Sequence, residues 1–229
     1  MAENIIEIWK ANWRGNLRCH ALGALILCAV TPFLFDTRGL DAVSTAKILE
    51  CYLILMGIVC LVPVFLPDQD HAIRELLDTK RMSPAVVCAV RLAQSITVLT
   101  ILTGGMLWYL RENGCEFPFK MYFAGSMAGM LFVGSIGMIV FALTDKMPLS
   151  YMAAILYYVI DTGGGKKYLG NWYLHSMCEE SFQEKWYLFL TGAALIGLAL
   201  LCRTYAGRWH FGKRKKPSQI FRIRAGMGG

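Results

Sequence analysis

Gly163, Gly164, Gly165, Lys166 and Lys167 set a glycine run directly before two lysines, a pairing that in the right frame cradles phosphate. The G-x-x-x-x-G-K-[ST] spacing fails, because Ile160 stands where the first glycine belongs. Glu179 and Glu180 form a carboxylate pair of the sort an intramembrane protease could use, yet no apolar run carries histidines to hold a metal or shuttle a proton beside them. Two neighbouring carboxylates in a polar stretch read instead as a solvated loop. Ser126 and Ser135 stand beside glycines in an apolar run, but a serine nucleophile needs a positioned base and none is in view. His20, His71, His175 and His210 are scattered, and no C-x-x-C or Cys/His cluster offers a metal site. The expectation is therefore no catalytic residue, no metal and no cofactor bound by this chain.

The elements around these residues give the reason. Hydrophobic residues make up 56% of the 229-residue chain and charged residues 17%, and the apolar ones are gathered into long runs. A helix needs roughly 20 apolar residues to cross about 30 Å of hydrocarbon, and lipid-exposed backbone must close its hydrogen bonds within one segment. The pattern predicts an all-α membrane protein with about six transmembrane helices, over 17–35, 48–66, 84–110, 121–143, 147–160 and 186–202. The fifth run is too short to cross unaided. Residues 1–16 precede them as an amphipathic interfacial helix: Glu3, Glu7, Lys10 and Arg14 share one narrow face, with Ile5, Ile8, Trp9 and Trp13 broadly opposite. Residues 203–229 form a basic tail.

With the N-terminus in the cytoplasm, sixteen of the 23 lysines and arginines fall on the cytoplasmic side, so both termini are expected there, as the positive-inside rule requires of an even number of spans. Lys213, Arg214, Lys215 and Lys216 then face anionic lipid headgroups, and the net charge of +7 points to a membrane surface instead of nucleic acid. Six of the eight cysteines lie in or beside apolar runs as small buried hydrophobes; Cys115 and Cys178 fall on the external side and can pair. Glu50 and Arg91 sit near the ends of their runs, where they are expected to snorkel to water. Gln94 and Ser95 share a helix face with Arg91, lining a substrate path or joining neighbouring helices. Gly125, Ser126, Gly129 and Gly137 give the fourth run a small-residue face for close helix packing, within the chain or across a dimer.

The loop from Leu66 to Pro84 is the most informative stretch. Asp68 or Asp70 can cap a short helix on which Ile73, Leu76 and Leu77 make an apolar ridge at i, i+3, i+4, flanked by Arg74 and Glu75. Such a ridge either docks on a cytoplasmic partner or folds back on its own bundle. Here the chain resembles the membrane subunit of an ATP-binding cassette transporter of the type-2 exporter permease family. The resemblance rests on Glu75-Leu76-Leu77 in a short acidic helix, Ser83-Pro84 restarting the third span, Arg91 near the head of that span, and an irregular segment from Asp161 to Lys185 between the last two runs. It covers the whole chain in order through loose motifs. It implies a translocation pathway built from two copies, or from this chain and a paralogous permease, in a bacterial plasma membrane. Separate ATPase subunits holding ATP and Mg would couple through 67–83, with Asp70, Ile73, Arg74, Glu75, Leu76 and Leu77 as the contact, and the cargo would be an exported peptide, lipid or hydrophobic compound. Two other readings stay open: a substrate-binding membrane subunit of a vitamin importer, and a non-transporting immunity or sensory membrane protein.

Overall fold

Residues 2–69, 84–179 and 181–213 are described by a computed structural model, and among them every regular element is helical. The chain begins with α1 (Ala2–Asn12) and continues without a break through a π turn (Trp13–Leu17) into α2 (Arg18–Leu34). The interfacial helix and first span expected as two elements are thus one rod. No proline interrupts it before Pro32, and Asn12, Leu17 and Arg18 all keep right-handed helical dihedrals.

Asp41 starts the next rod, its carboxylate accepting from Ser44 N at 3.3 Å as an N-cap. Helical residues then run through α3 (Ala42–Ile48), a π turn (Leu49–Leu53), α4 (Leu55–Leu61) and a 3₁₀ segment (Val62–Gln69). Pro63 and Pro67 remove backbone donors from that last stretch, and the tighter winding there accompanies the loss. This span starts six residues earlier than expected. α5 (Pro84–Glu112) and α6 (Phe119–Thr144) follow, α6 closing on Asp145 in the left-handed region at φ 55°. α7 (Met147–Gly164) has proline in its first turn and ends at Gly165, φ 61°. Three short turns (α8, Lys166–Leu169, then Gly170–Trp172 and Ser176–Glu179) lead into α9 (Gln183–Lys213).

Five of these stretches are long and apolar enough to cross a membrane: Ile6–Leu34, Ala42–Gln69, Ala85–Glu112, Phe119–Thr144 and Gln183–Thr204. α7 is not among them. It runs four residues beyond the expected 147–160, but the added turn is Asp161-Thr162-Gly163-Gly164, which dilutes its apolar character.

α6 lies at the centre, packed along α9, α7 and α4. Its glycines make that possible. A Cβ on Gly57 of α4 would collide with the Met130 backbone, and one on Gly134 of α6 with Leu61 and the Gly57 carbonyl, so the two helices cross backbone to backbone. Gly129 faces Ile54, Gly137 faces Val62 and the Ser150 carbonyl, and Gly125 faces Met177 and Lys185. Gly125, Gly129 and Gly137 all face neighbours within the chain. Ser126 is buried, its hydroxyl without a hydrogen-bond partner.

Candidate functional site

Two ionic layers lie at opposite ends of the bundle, and neither was expected. At one end Glu50, 1% exposed, does not snorkel: the π turn at Leu49–Leu53 holds it inside, where Oε1 lies 2.5 Å from Lys185 Nζ of α9. The same carboxylate accepts from Met177 N at 2.9 Å and Cys178 N at 3.2 Å. Lys185 Nζ also donates to the Leu174 carbonyl. A charge this deep persists only when paired and hydrogen-bonded, and each charge here is. Beside it Asp161, fully buried at the end of α7, accepts from Leu174 N at 3.0 Å through Oδ1 and holds His175 Nδ1 2.6 Å from Oδ2. Burial draws the His175 pKa down, but the bonded Asp161 carboxylate and the neighbouring Cys51 outweigh it, pushing the imidazole up to about 9. Leu174, Met177 and Cys178, within the irregular segment expected over 161–185, are therefore pinned to the bundle by Glu50 and Asp161. Outside this layer Lys166 pairs with Glu179 at 2.8 Å and Glu184 at 3.2 Å, and those two carboxylates raise its pKa. Lys166 and Glu179 thus belong to a part-exposed surface ion cluster.

At the other end Asp68, in the 3₁₀ segment, holds Arg91 Nη1 of α5 at 2.5 Å and lies 3.6 Å from Arg203 Nε of α9. Arg203 also pairs with Asp145, the left-handed cap of α6, while Gln69 Nε2 donates to the Asp145 carbonyl at 2.7 Å and Cys88 Sγ to Asp68 Oδ2 at 3.5 Å. Arg91 is 5% exposed and, like Glu50, does not snorkel. The layers share a register. Eighteen positions separate Glu50 from Asp68 on one rod, and eighteen separate their partners Lys185 and Arg203 on α9. Two helical stretches running parallel are braced at both ends, acids on one and bases on the other.

The expected path residues do not line an open channel. Arg91 is held by Asp68; Gln94 joins α5 to the N-terminal rod, accepting from Asn12 Nδ2 at 2.5 Å and donating to the Trp9 carbonyl at 2.9 Å; Ser95 is buried. In this chain Arg91 and Gln94 join α5 to neighbouring elements. Cys115 and Cys178 are free thiols, Cys115 donating to the Thr37 carbonyl at 3.3 Å and Cys178 lying beside Glu50 through its backbone N–H, so the pairing open to them is not formed. The coupling residues Asp70, Ile73, Arg74, Glu75, Leu76 and Leu77, with Glu180, lie outside the described residues. No group of three or more His, Cys, Asp or Glu able to hold a metal occurs among the described residues.

A helical bundle with five helices long and apolar enough to span a membrane, and with buried ion pairs near both ends among the described residues, has the architecture of a multi-pass membrane protein. No protein-family model, no curated protein and no solved structure matches the chain.

Proposed function

We propose that this chain is the membrane subunit of an ATP-binding cassette exporter of the type-2 permease kind. It sits in a plasma membrane with both termini in the cytoplasm, which requires α7, running from the Asp145 level to the Asp161 level, to serve as a sixth crossing, and it pairs with a second copy or a paralogous permease. Cytoplasmic ATPases, which bind ATP and Mg, dock on 67–83, and the cargo is a peptide, a lipid or a hydrophobic compound. The element order supports this: an amphipathic start, two spans, a charged loop, two further spans, a shorter helix, a folded-back polar segment and a last span. The observation that carries it is the root of the loop. Asp68 before the loop and Arg91 after it are 2.5 Å apart, and Arg203 ties that pair to α9 and, through Asp145, to α6. A force applied to 70–83 thus meets four elements through one network, buried at Asp68 and Arg91 and exposed at Asp145. Coupling by ATPase closure needs such a linkage.

Affinity purification of the tagged chain in mild detergent, with mass spectrometry and an ATPase assay, tests the proposal. A stoichiometric nucleotide-binding subunit is expected, lost from the Leu76→Asp/Leu77→Asp variant while membrane insertion persists. Absence of any ATPase across several detergents, or its normal recovery with that variant, overturns the docking role.

A further inference from the structure

Where the N-terminal rod crosses α5, the two helices leave a groove of about 430 Å³, in the size range of small-ligand sites, roughly 300–1,000 Å³. Gln94 forms its floor, fixed by its two hydrogen bonds to Asn12 and to the Trp9 carbonyl, so the cleft is held open by a polar clasp. Lys10, Trp9 and Trp13 line one wall, all three exposed; Leu17, Val98 and Ile101 carry the lining apolar side chains further along the two helices. The groove therefore runs from a cationic, aromatic mouth into hydrocarbon-like depth.

Membrane geometry fixes the height of that mouth. Ile6–Leu34 is 29 residues, and at 1.5 Å per residue it is about 43 Å long, more than the roughly 30 Å of hydrocarbon. The excess falls at the polar end, where Lys10, Asn12, Arg14 and Arg18 precede the apolar run, and tryptophans at that level favour the headgroup boundary. Among residues 6–18 the basic side chains Lys10, Arg14 and Arg18 face one acid, Glu7.

The geometry points to a specific site for an anionic phospholipid: the headgroup phosphate on Lys10 between Trp9 and Trp13, and one acyl chain laid in the groove along Val98 and Ile101. The occupant follows from charge at the mouth and apolar lining within. This rests on the chain being membrane-embedded and is independent of the transport proposal.

The test uses the full chain with the other four tryptophans replaced by Phe, leaving Trp9 and Trp13 as reporters. It is reconstituted in phosphatidylcholine vesicles carrying a fixed fraction of either brominated phosphatidylglycerol or brominated phosphatidylcholine. Quenching should show about a fivefold preference for the anionic lipid, the size one basic residue near the surface confers. Lys10→Gln should equalise the two lipids. Thr97→Phe, at an exposed position on the groove wall, should reduce quenching by both with no change of charge. Equal quenching by both lipids with no response to Lys10→Gln would make the groove ordinary lipid annulus and overturn the site. Absence of quenching by either lipid would mean that protein covers the groove, and overturns it as well.

Discussion

Breaking the Glu50–Lys185 pair from its two sides should cost different amounts, and the difference follows from the hydrogen bonds each partner keeps. Lys185→Met leaves the carboxylate its two backbone donors, Met177 N and Cys178 N, so the loss should fall near 3 kcal/mol, the lower end of the range of about 3–5 kcal/mol for breaking a buried pair. Glu50→Leu strands a buried ammonium that keeps one carbonyl, Leu174, and also orphans two amides at about 1–3 kcal/mol each. That variant should reach about 5 kcal/mol or more. The double variant removes the charge penalty but not the orphaned amides, so it should fall between wild type and Glu50→Leu. Reversible unfolding in mixed detergent and SDS, followed by far-ultraviolet circular dichroism, reads all four corners of the cycle. If the two single variants lose similar amounts below about 1 kcal/mol, as exposed pairs do, the carboxylate is solvated and the buried-layer argument fails.

Two further outcomes follow from packing and from titration. Gly57→Ala drives a Cβ into the Met130 backbone and should destabilise by about 1–3 kcal/mol, whereas Gly105→Ala, with nothing within 4 Å, should gain about 0.5–1 kcal/mol from reduced backbone freedom. Equal effects in the same SDS titration would refute the close crossing. His175 has its pKa raised from 6.5 to about 9, so its contribution is fully present below pH 6.5 and is lost as pH rises through 9; the shift corresponds to about 3 kcal/mol. Thermal unfolding in detergent should show a midpoint falling across that window in wild type, and Asp161→Asn should flatten the dependence; an unchanged slope in the variant would assign the titration elsewhere.

The apolar helices were legible because burial in lipid writes itself as uninterrupted local composition, and five of the six expected runs coincide with candidate spans in the structure, with shifted ends. The continuity of the N-terminal rod was less legible, because its amphipathic and apolar patterns differ and Gly15 and Gly23 weaken the helix locally, although no proline lies before Pro32. The ionic layers were not legible for a different reason. Glu50 and Lys185 are 135 positions apart, and either alone near the end of an apolar run has a cheaper local solution, reaching for water. Only the tertiary fold removes that solution. The turning of the irregular segment left a local trace, since Gly165 and Gly170 both adopt positive φ where the chain changes direction.

The shared register carries a consequence for how the chain sits in a bilayer. Eighteen residues at 1.5 Å give about 27 Å between the Glu50–Lys185 and Asp68–Arg203 levels, close to the roughly 30 Å of a hydrocarbon core. A charge pair costs most at the midplane and less at each boundary, so two layers at this separation bracket the apolar slab while bracing the rods that cross it. Were the pairs a device for soluble packing, nothing would tie their spacing to that thickness. Any rearrangement that tilts α9 against the Ala42–Gln69 rod must lengthen at least one of the two pairs, because a parallel brace fixed at both ends resists rotation as well as sliding. Motion begun at the loop root beside Asp68 is therefore resisted by the buried pair at Glu50, and the two ends of the protein are mechanically one unit.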